Sequence, residues 1–386
     1  MIHIDASIPS GRITVLSADN PADIRLEIPT DANSFYRGWY YFRSSGVRGQ
    51  KCTYRLMNAG GFPDRPGFEN PWMDTGPLAS YDGIRWFRVP ATFDGKVYSF
   101  EHQAESDICY YAPFAPYPAE RDQKLIASLQ GSPLVRVRTL GHSAQGRPID
   151  LLTVGVESSE KKACWVIARQ HPSETQGGFF IEGMLERLLD SNDPVARTLL
   201  EKATFHIVPN MNPDGSANGF FRTNTLGVDL NREWGAPSLD RSPEVCVVRG
   251  AMEQIGVDFC IDCHADPGLS CNFVWPSQNV PTWHAGRASQ FDHFERAWAA
   301  ASPEYGYGEP YPGGVPENAD LSMAWNWVGN RFPDSLSVLL EQPYKDTRRA
   351  PVPETGWSPQ RAARFGATFL NGLHGVVDHL RSQAEA

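Results

Sequence analysis

The chain has no apolar run of the roughly 20 residues that a membrane-spanning helix needs. Its opening residues, Met1-Ile2-His3-Ile4-Asp5, carry neither the basic segment nor the apolar core of an export signal. Membrane insertion and secretion are therefore not expected, and the cytoplasm is the expected compartment. Positive charge is in deficit, since 35 Lys and Arg against 45 Asp and Glu leave a net charge of −10. That balance argues against nucleic acid or an anionic membrane as the main partner, though not against a local basic pocket. Cysteine is sparse as well. Seven scattered thiols, an odd number without an export signal, do not make a disulfide framework and are expected to be reduced. Internal repeats and low-complexity segments are missing, and so is any helical periodicity before Glu120.

What is present divides in two. A length of 386 residues with 41% hydrophobic content suits two soluble domains, each with its own core. From Ile13 to Tyr111 the pattern is short alternating runs broken by Gly, Pro and Asp. Trp39–Arg43, Lys51–Met57, Ile84–Val89 and Lys96–His102 read as strands. The expected product is an antiparallel β-sandwich over residues 1–118. The proline-rich stretch Pro113-Phe114-Ala115-Pro116-Tyr117-Pro118 marks the junction. Beyond it strands and helices alternate. Leu134–Leu140, Ile149–Val156, Ala163–Ala168, Ala203–Val208 and Val257–Ile261 read as strands; Gly177–Leu189 and Pro243–Gln254 read as helices. Residues 119–386 are thus expected to form an α/β domain on a parallel or mixed sheet, closing with a helix from Pro359 capped by Ser358.

The chemistry gathers around His171-Pro172-Ser173-Glu174, set where the strand Ala163–Ala168 gives way to the helix Gly177–Leu189. Imidazole and carboxylate are zinc ligands, and a catalytic zinc needs a third ligand and an open position. A lone H-x-x-E is common, so the stretch needs partners. His264 is the third candidate, because it ends the run Val257–Cys263 as a strand meets a loop. In open α/β sheets functional groups collect at such carboxyl ends. His206 sits inside an apolar strand and reads as a core residue, whereas His142, in a Gly-Arg-rich loop, stays open as a ligand. Between the candidates lie Asn212-Pro213-Asp214-Gly215, Arg222 and Asp229-Leu230-Asn231-Arg232. Arginines in loops beside a metal suggest an anion, since the guanidinium fork matches a carboxylate; they would equally serve as surface ion pairs. Ser337–Gln342 is an apolar strand ending in a carboxylate, and Glu341 beside a metal would act as general base and then general acid.

Taken in order, His171-x-x-Glu174, Asn212–Gly215, Arg222, Asp229–Arg232, His264 and Glu341 resemble the M14 zinc metallocarboxypeptidases. Gly141–Pro148 is similar to that family's opening segment. Gly38–Arg43 and Tyr111–Tyr117 look like the β-domain of its cytosolic branch. The resemblance spans nearly the whole chain. It implies a β-sandwich followed by a carboxypeptidase-like α/β/α domain with a mixed sheet, one zinc per chain, and peptide or protein C-termini as substrates. It further implies that His171, Glu174 and His264 hold the metal and that Glu341 activates water. Arg222 would stabilise the oxyanion, Asn231 and Arg232 would hold the terminal carboxylate, and Asp229 would orient His171.

The resemblance also leaves gaps. Acid-trimming members carry an arginine upstream of the catalytic Glu, where this chain has Met323-Ala324-Trp325-Asn326-Trp327; Arg331 falls out of register. A neutral pocket for the terminal side chain is expected from that stretch, the alternative being a basic pocket lined by another Arg or Lys. The family's substrate-covering tyrosine has three candidates, Tyr305, Tyr307 and Tyr311. Three other readings compete. Cys260-Ile261-Asp262-Cys263-His264 matches the C-x-x-C-H haem attachment pattern. Cys260, Cys263 and Cys271 could form a thiolate zinc site. The same zinc scaffold also serves amidohydrolases that deacylate small N-acyl amino acids or cleave peptidoglycan-type peptides.

Overall fold

The computed structural model describes residues 2–62, 65 and 67–381. Ten strands come first: β1 (His3–Asp5), β2 (Thr14–Ser17), β3 (Ile24–Glu27), β4 (Phe42–Ser45), β5 (Lys51–Leu56), β6 (Leu78–Ser80), β7 (Phe87–Arg88), β8 (Ala91–Phe93), β9 (Tyr98–Gln103) and β10 (Ile108–Ala112). They form two five-stranded sheets, ordered β1-β4-β10-β6-β7 and β2-β3-β5-β9-β8. Pairing is antiparallel except between β3 and β5. Aromatic rings fill the space between the sheets: Tyr54 lies 5.9 Å from Phe42, 4.9 Å from Phe100 and 4.9 Å from Tyr111. Large rings bury much apolar area per side chain, so a few of them can hold such short strands together.

Two strands begin later than the sequence pattern predicts. The segment Ile84–Val89 yields only Phe87–Arg88, because Asp82 Oδ1 accepts from the N–H groups of Ile84 and Arg85 and holds them in a turn. The segment Trp39–Arg43 enters a strand only at Phe42, and Trp39 instead donates its indole N–H to Ser10 O at 3.0 Å.

Among the described residues the first helix is α1 (Ala119–Leu129). After it come β11 (Val135–His142), β12 (Pro148–Val154), β13 (Lys162–Ala168), α2 (Gln176–Leu188), α3 (Pro194–Lys202), β14 (Ala203–Val208), α4 (Pro213–Asn218), α5 (Pro243–Ile255), β15 (Phe259–Asp266), β16 (Phe273–Pro276), α6 (Ala285–Ala301), α7 (Ala324–Arg331), β17 (Leu336–Pro343) and α8 (Pro359–Val376). The seven strands make one mixed sheet, β11-β12-β14-β13-β15-β17-β16, parallel through its centre from β14 to β17. Alternate residues of β13 serve opposite faces, as strand geometry requires. Cys164, Val166 and Ala168 join the core with α2, α6 and α8. Trp165 and Ile167 join the core with α5 and α7. Ser358 caps α8 as expected, accepting from Arg361 N.

This architecture disposes of both cysteine readings. All seven cysteines are unbridged. Cys260 and Cys263 are fully buried, and they face different cores on either side of the sheet, so they share neither a haem edge nor a metal. No described helix is long and apolar enough to cross a membrane.

Candidate active site

The carboxyl ends of β13, β15 and β17 converge on one place. β13 stops at Ala168, and Arg169 turns the chain with a left-handed φ of 64°. For a non-glycine residue that conformation costs about 1–3 kcal/mol and persists only where surroundings enforce it. Here the buried Arg169 guanidinium donates to Pro172 O at 3.0 Å, Tyr117 O at 3.2 Å and Ser216 Oγ at 2.9 Å, which ties down the tight loop carrying His171 and Glu174. β15 runs on to Asp266, so His264 lies within the strand rather than at its end. Glu341 sits beside it on β17, in register with His264.

His171 and His264 both turn Nδ1 to the Glu174 carboxylate, at 2.6 and 2.7 Å. Their Nε2 atoms point away to Asp229 Oδ1 at 3.1 Å and Asp262 Oδ2 at 3.0 Å. Carboxylates behind ligand imidazoles fix ring orientation and tautomer. One donor atom from each of His171, Glu174 and His264 lies within 4.8 Å of the others, and all three residues are buried; among the described residues no other cluster of this kind forms. Two imidazoles and a carboxylate fit a zinc ion with one position left open. Burial alone would raise the Glu174 carboxyl, but the two imidazoles outweigh it and bring its pKa down to about 2. Burial pushes Glu341 well above the ordinary carboxylate range; Glu174 and Asp266 push the same way, against His264 and Arg65. Glu341 Oε2 is buried without a hydrogen-bond partner.

Arg222, Arg232 and Glu174 line a cavity of about 530 Å³ shared with Phe35, Tyr36 and Tyr344. Asp229 bridges two site residues, since its Oδ2 accepts from Arg222 Nε at 2.7 Å while Oδ1 faces His171. The turn Leu230–Arg232, capped by Asp229, sends successive side chains in different directions. Arg232 lines the cleft. Asn231, read with it as a carboxylate clamp, accepts from Ala324 N at 2.9 Å on Oδ1, and its Nδ2 lies 3.1 Å from His264 Nε2.

His142 is exposed at the end of β11, paired with Pro148 and apart from the cluster. Arg331 pairs with Glu253 at 3.4 Å on the protein surface. Of the three tyrosines, Tyr305 is buried against Trp298 and Tyr307 is exposed. Tyr311 packs on Phe273 and Trp275; burial raises its phenol pKa, with the charge of Glu341 adding to the shift and Arg232 opposing it. Sequence reasoning missed Asp262, although residues two apart on a strand share a face and Asp262-Cys263-His264 carried that signal. It also missed Arg169, for which no local signal exists.

Buried imidazoles around one carboxylate, each backed by an aspartate at the carboxyl edge of a mixed sheet, make a set of donors that would suit a hydrolytic metal. Comparison with known proteins makes this specific. The profile of the zinc carboxypeptidase family matches residues 124–314, and that of the cytosolic carboxypeptidase N-terminal domain matches residues 4–114. A metallo-carboxypeptidase from Burkholderia cenocepacia superposes with a TM-score of 0.93 at 40% identity, over 98% of this chain and all of that one. A Pseudomonas aeruginosa metallo-carboxypeptidase, solved in complex with (2-guanidinoethylmercapto)succinic acid, gives 0.92 at 37% identity over 98% of this chain and 100% of that one. Mouse cytosolic carboxypeptidase 6 is 30% identical over 71% of this chain, which spans 55% of that protein's length. The chain belongs to the M14 zinc carboxypeptidase family and is a hydrolase.

Proposed function

We propose that the protein removes the C-terminal residue of peptides, with His171, Glu174 and His264 holding one zinc ion. The observation that carries this reading is the convergence of both imidazole Nδ1 atoms on Glu174 beside an arginine-lined cleft. When bound, zinc supplies Lewis acidity that lowers the pKa of water and polarises a carbonyl. Glu341 takes the proton of the attacking water and returns it to the departing amine. Burial raises its pKa above the ordinary carboxylate range, which favours return of the proton to the leaving group. Arg222 faces the oxyanion as it forms, held in place by Asp229. Arg232 binds the terminal carboxylate as a charge-assisted pair. Asn231, beside it in the same turn, is proposed to share that carboxylate through Nδ2. Tyr311, near Glu341 and Arg232, is the candidate to cover the bound residue.

The terminal side chain is proposed to enter the hollow of about 80 Å³ lined by Trp275, Tyr311, Met323, Trp325 and Asn326. Its lining holds no Lys or Arg and one carboxylate, Asp320. Trp327 is not part of it and packs on Trp234 at 5.6 Å. Seating a carboxylate there without a cation would cost on the order of several kcal/mol. Peptides ending in Leu or Phe are therefore expected to show kcat/KM at least about tenfold above those ending in Glu, a difference of about 1.4 kcal/mol. A tenfold preference for Glu in the same competition would overturn the neutral pocket.

A further inference from the structure

The segment that carries Arg222 is gripped from the N-terminal sandwich. Asp31, 3% exposed, reaches across and accepts from the backbone N–H groups of Phe221 (2.7 Å), Arg222 (2.7 Å) and Thr223 (3.0 Å). The Thr223 hydroxyl adds a fourth contact at 3.3 Å. From the other side, Ser173, between the two proposed ligands His171 and Glu174, donates Oγ to Phe221 O at 2.8 Å. Tyr36 lays its ring 5.3 Å from the Arg222 guanidinium carbon. Asp31 N donates to Tyr36 O at 2.8 Å, so the carboxylate and the ring belong to one closed loop. Gly38 completes the fit, because a Cβ there would stand 2.5 Å from the Phe221 ring.

We propose that Asp31 and Tyr36 are positioning residues for catalysis: the N-terminal sandwich sets the aim of Arg222 through the Asp31 carboxylate on the 221–223 backbone and the Tyr36 ring on the guanidinium. The inference rests on the reading of Arg222 as the group that meets the oxyanion. A carboxylate suits this place because it offers two oxygens to a row of N–H donors, as an anion does in a backbone nest. An amide of the same shape offers one oxygen and sets its own N–H against the row, leaving a buried donor unsatisfied. The guanidinium is held at both ends. Asp229 fixes Nε and Tyr36 covers a face, while Asp31, in the same loop as Tyr36, holds the Arg222 backbone. Oxyanion stabilisation depends on donors being in place before the charge develops, and misplacement by about 1 Å can cost about 100-fold.

The test is a double-mutant cycle in the full-length, zinc-loaded protein, with kcat, KM, bound zinc and Tm recorded for each variant. Asp31→Asn should lower kcat by about 10- to 100-fold, short of the loss from removing an oxyanion donor outright, with KM and bound zinc changed far less. In an Arg222→Ala background the same substitution should cost little more, because the group it positions is gone. Equal losses in both backgrounds would overturn the inference while leaving the role of Arg222 intact. Full turnover in Arg222→Ala alone would remove that role and the inference with it. Should Asp31→Asn fail to fold, Tyr36→Leu completes the same cycle and is expected to couple to Arg222 in the same sense; additivity there would overturn the proposal.

Discussion

Glu341→Gln is expected to retain zinc and lose turnover by roughly two or more orders of magnitude, the scale of a lost general base. The substitution preserves volume and leaves the register of β17 with β15 undisturbed. What it removes is proton acceptance at a carboxylate that no other side chain satisfies on Oε2. The same group sets the pH profile. Glu341 must be deprotonated to act, and burial holds its pKa above the ordinary range. Activity should therefore fall with acid from a higher pH than an exposed glutamate, near 4.3, would give. Turnover against pH, measured beside metal content for both forms, checks this. Near-normal turnover in Glu341→Gln would mean that another carboxylate is the base.

His171 and Glu174 were legible in the sequence because they lie three residues apart between a strand pattern and a helix pattern. Glu341 and His264 were legible as polar ends of apolar runs, although β15 extends past His264 because Ala265 and Asp266 continue its pairing with β17. The fold class followed from periodicity, yet α6 and α7 gave no signal. In α6 the buried positions include Arg287 and Gln290 beside Phe294 and Trp298, so polarity does not mark the inner face. Asp31 was illegible for a different reason. Its local sequence, Thr30-Asp31-Ala32-Asn33, has only the composition of a turn, and its donors lie about 190 residues away in the chain.

Loss of the proposed ligands should have the most complete effect. His264→Ala removes one donor atom and uncovers the buried carboxylates of Asp262 and Glu174 that now face the ring. Zinc affinity should drop so far that dialysed protein contains little metal, and activity should be lost with it. In His171→Ala/His264→Ala a single carboxylate remains, too few ligands for a catalytic zinc site, which takes three from the protein. Asp229→Asn is the graded control. It keeps the ligand set but weakens the hold on His171, and its cost in metal affinity should be about 10- to 100-fold. Metal analysis after dialysis decides: full zinc occupancy in the double variant would place the metal elsewhere.

The direction of cleavage tests the central claim most directly. One peptide is offered to the zinc-loaded protein with a free C-terminus and as its C-terminal amide, and the products are followed by mass. Arg232 paired with the terminal carboxylate predicts loss of single residues from the free end. The amide, which removes one partner of a desolvated charge pair at a cost of about 2–5 kcal/mol, should be left essentially intact. Equal cutting of both peptides, or fragments from internal bonds, would contradict the carboxypeptidase reading.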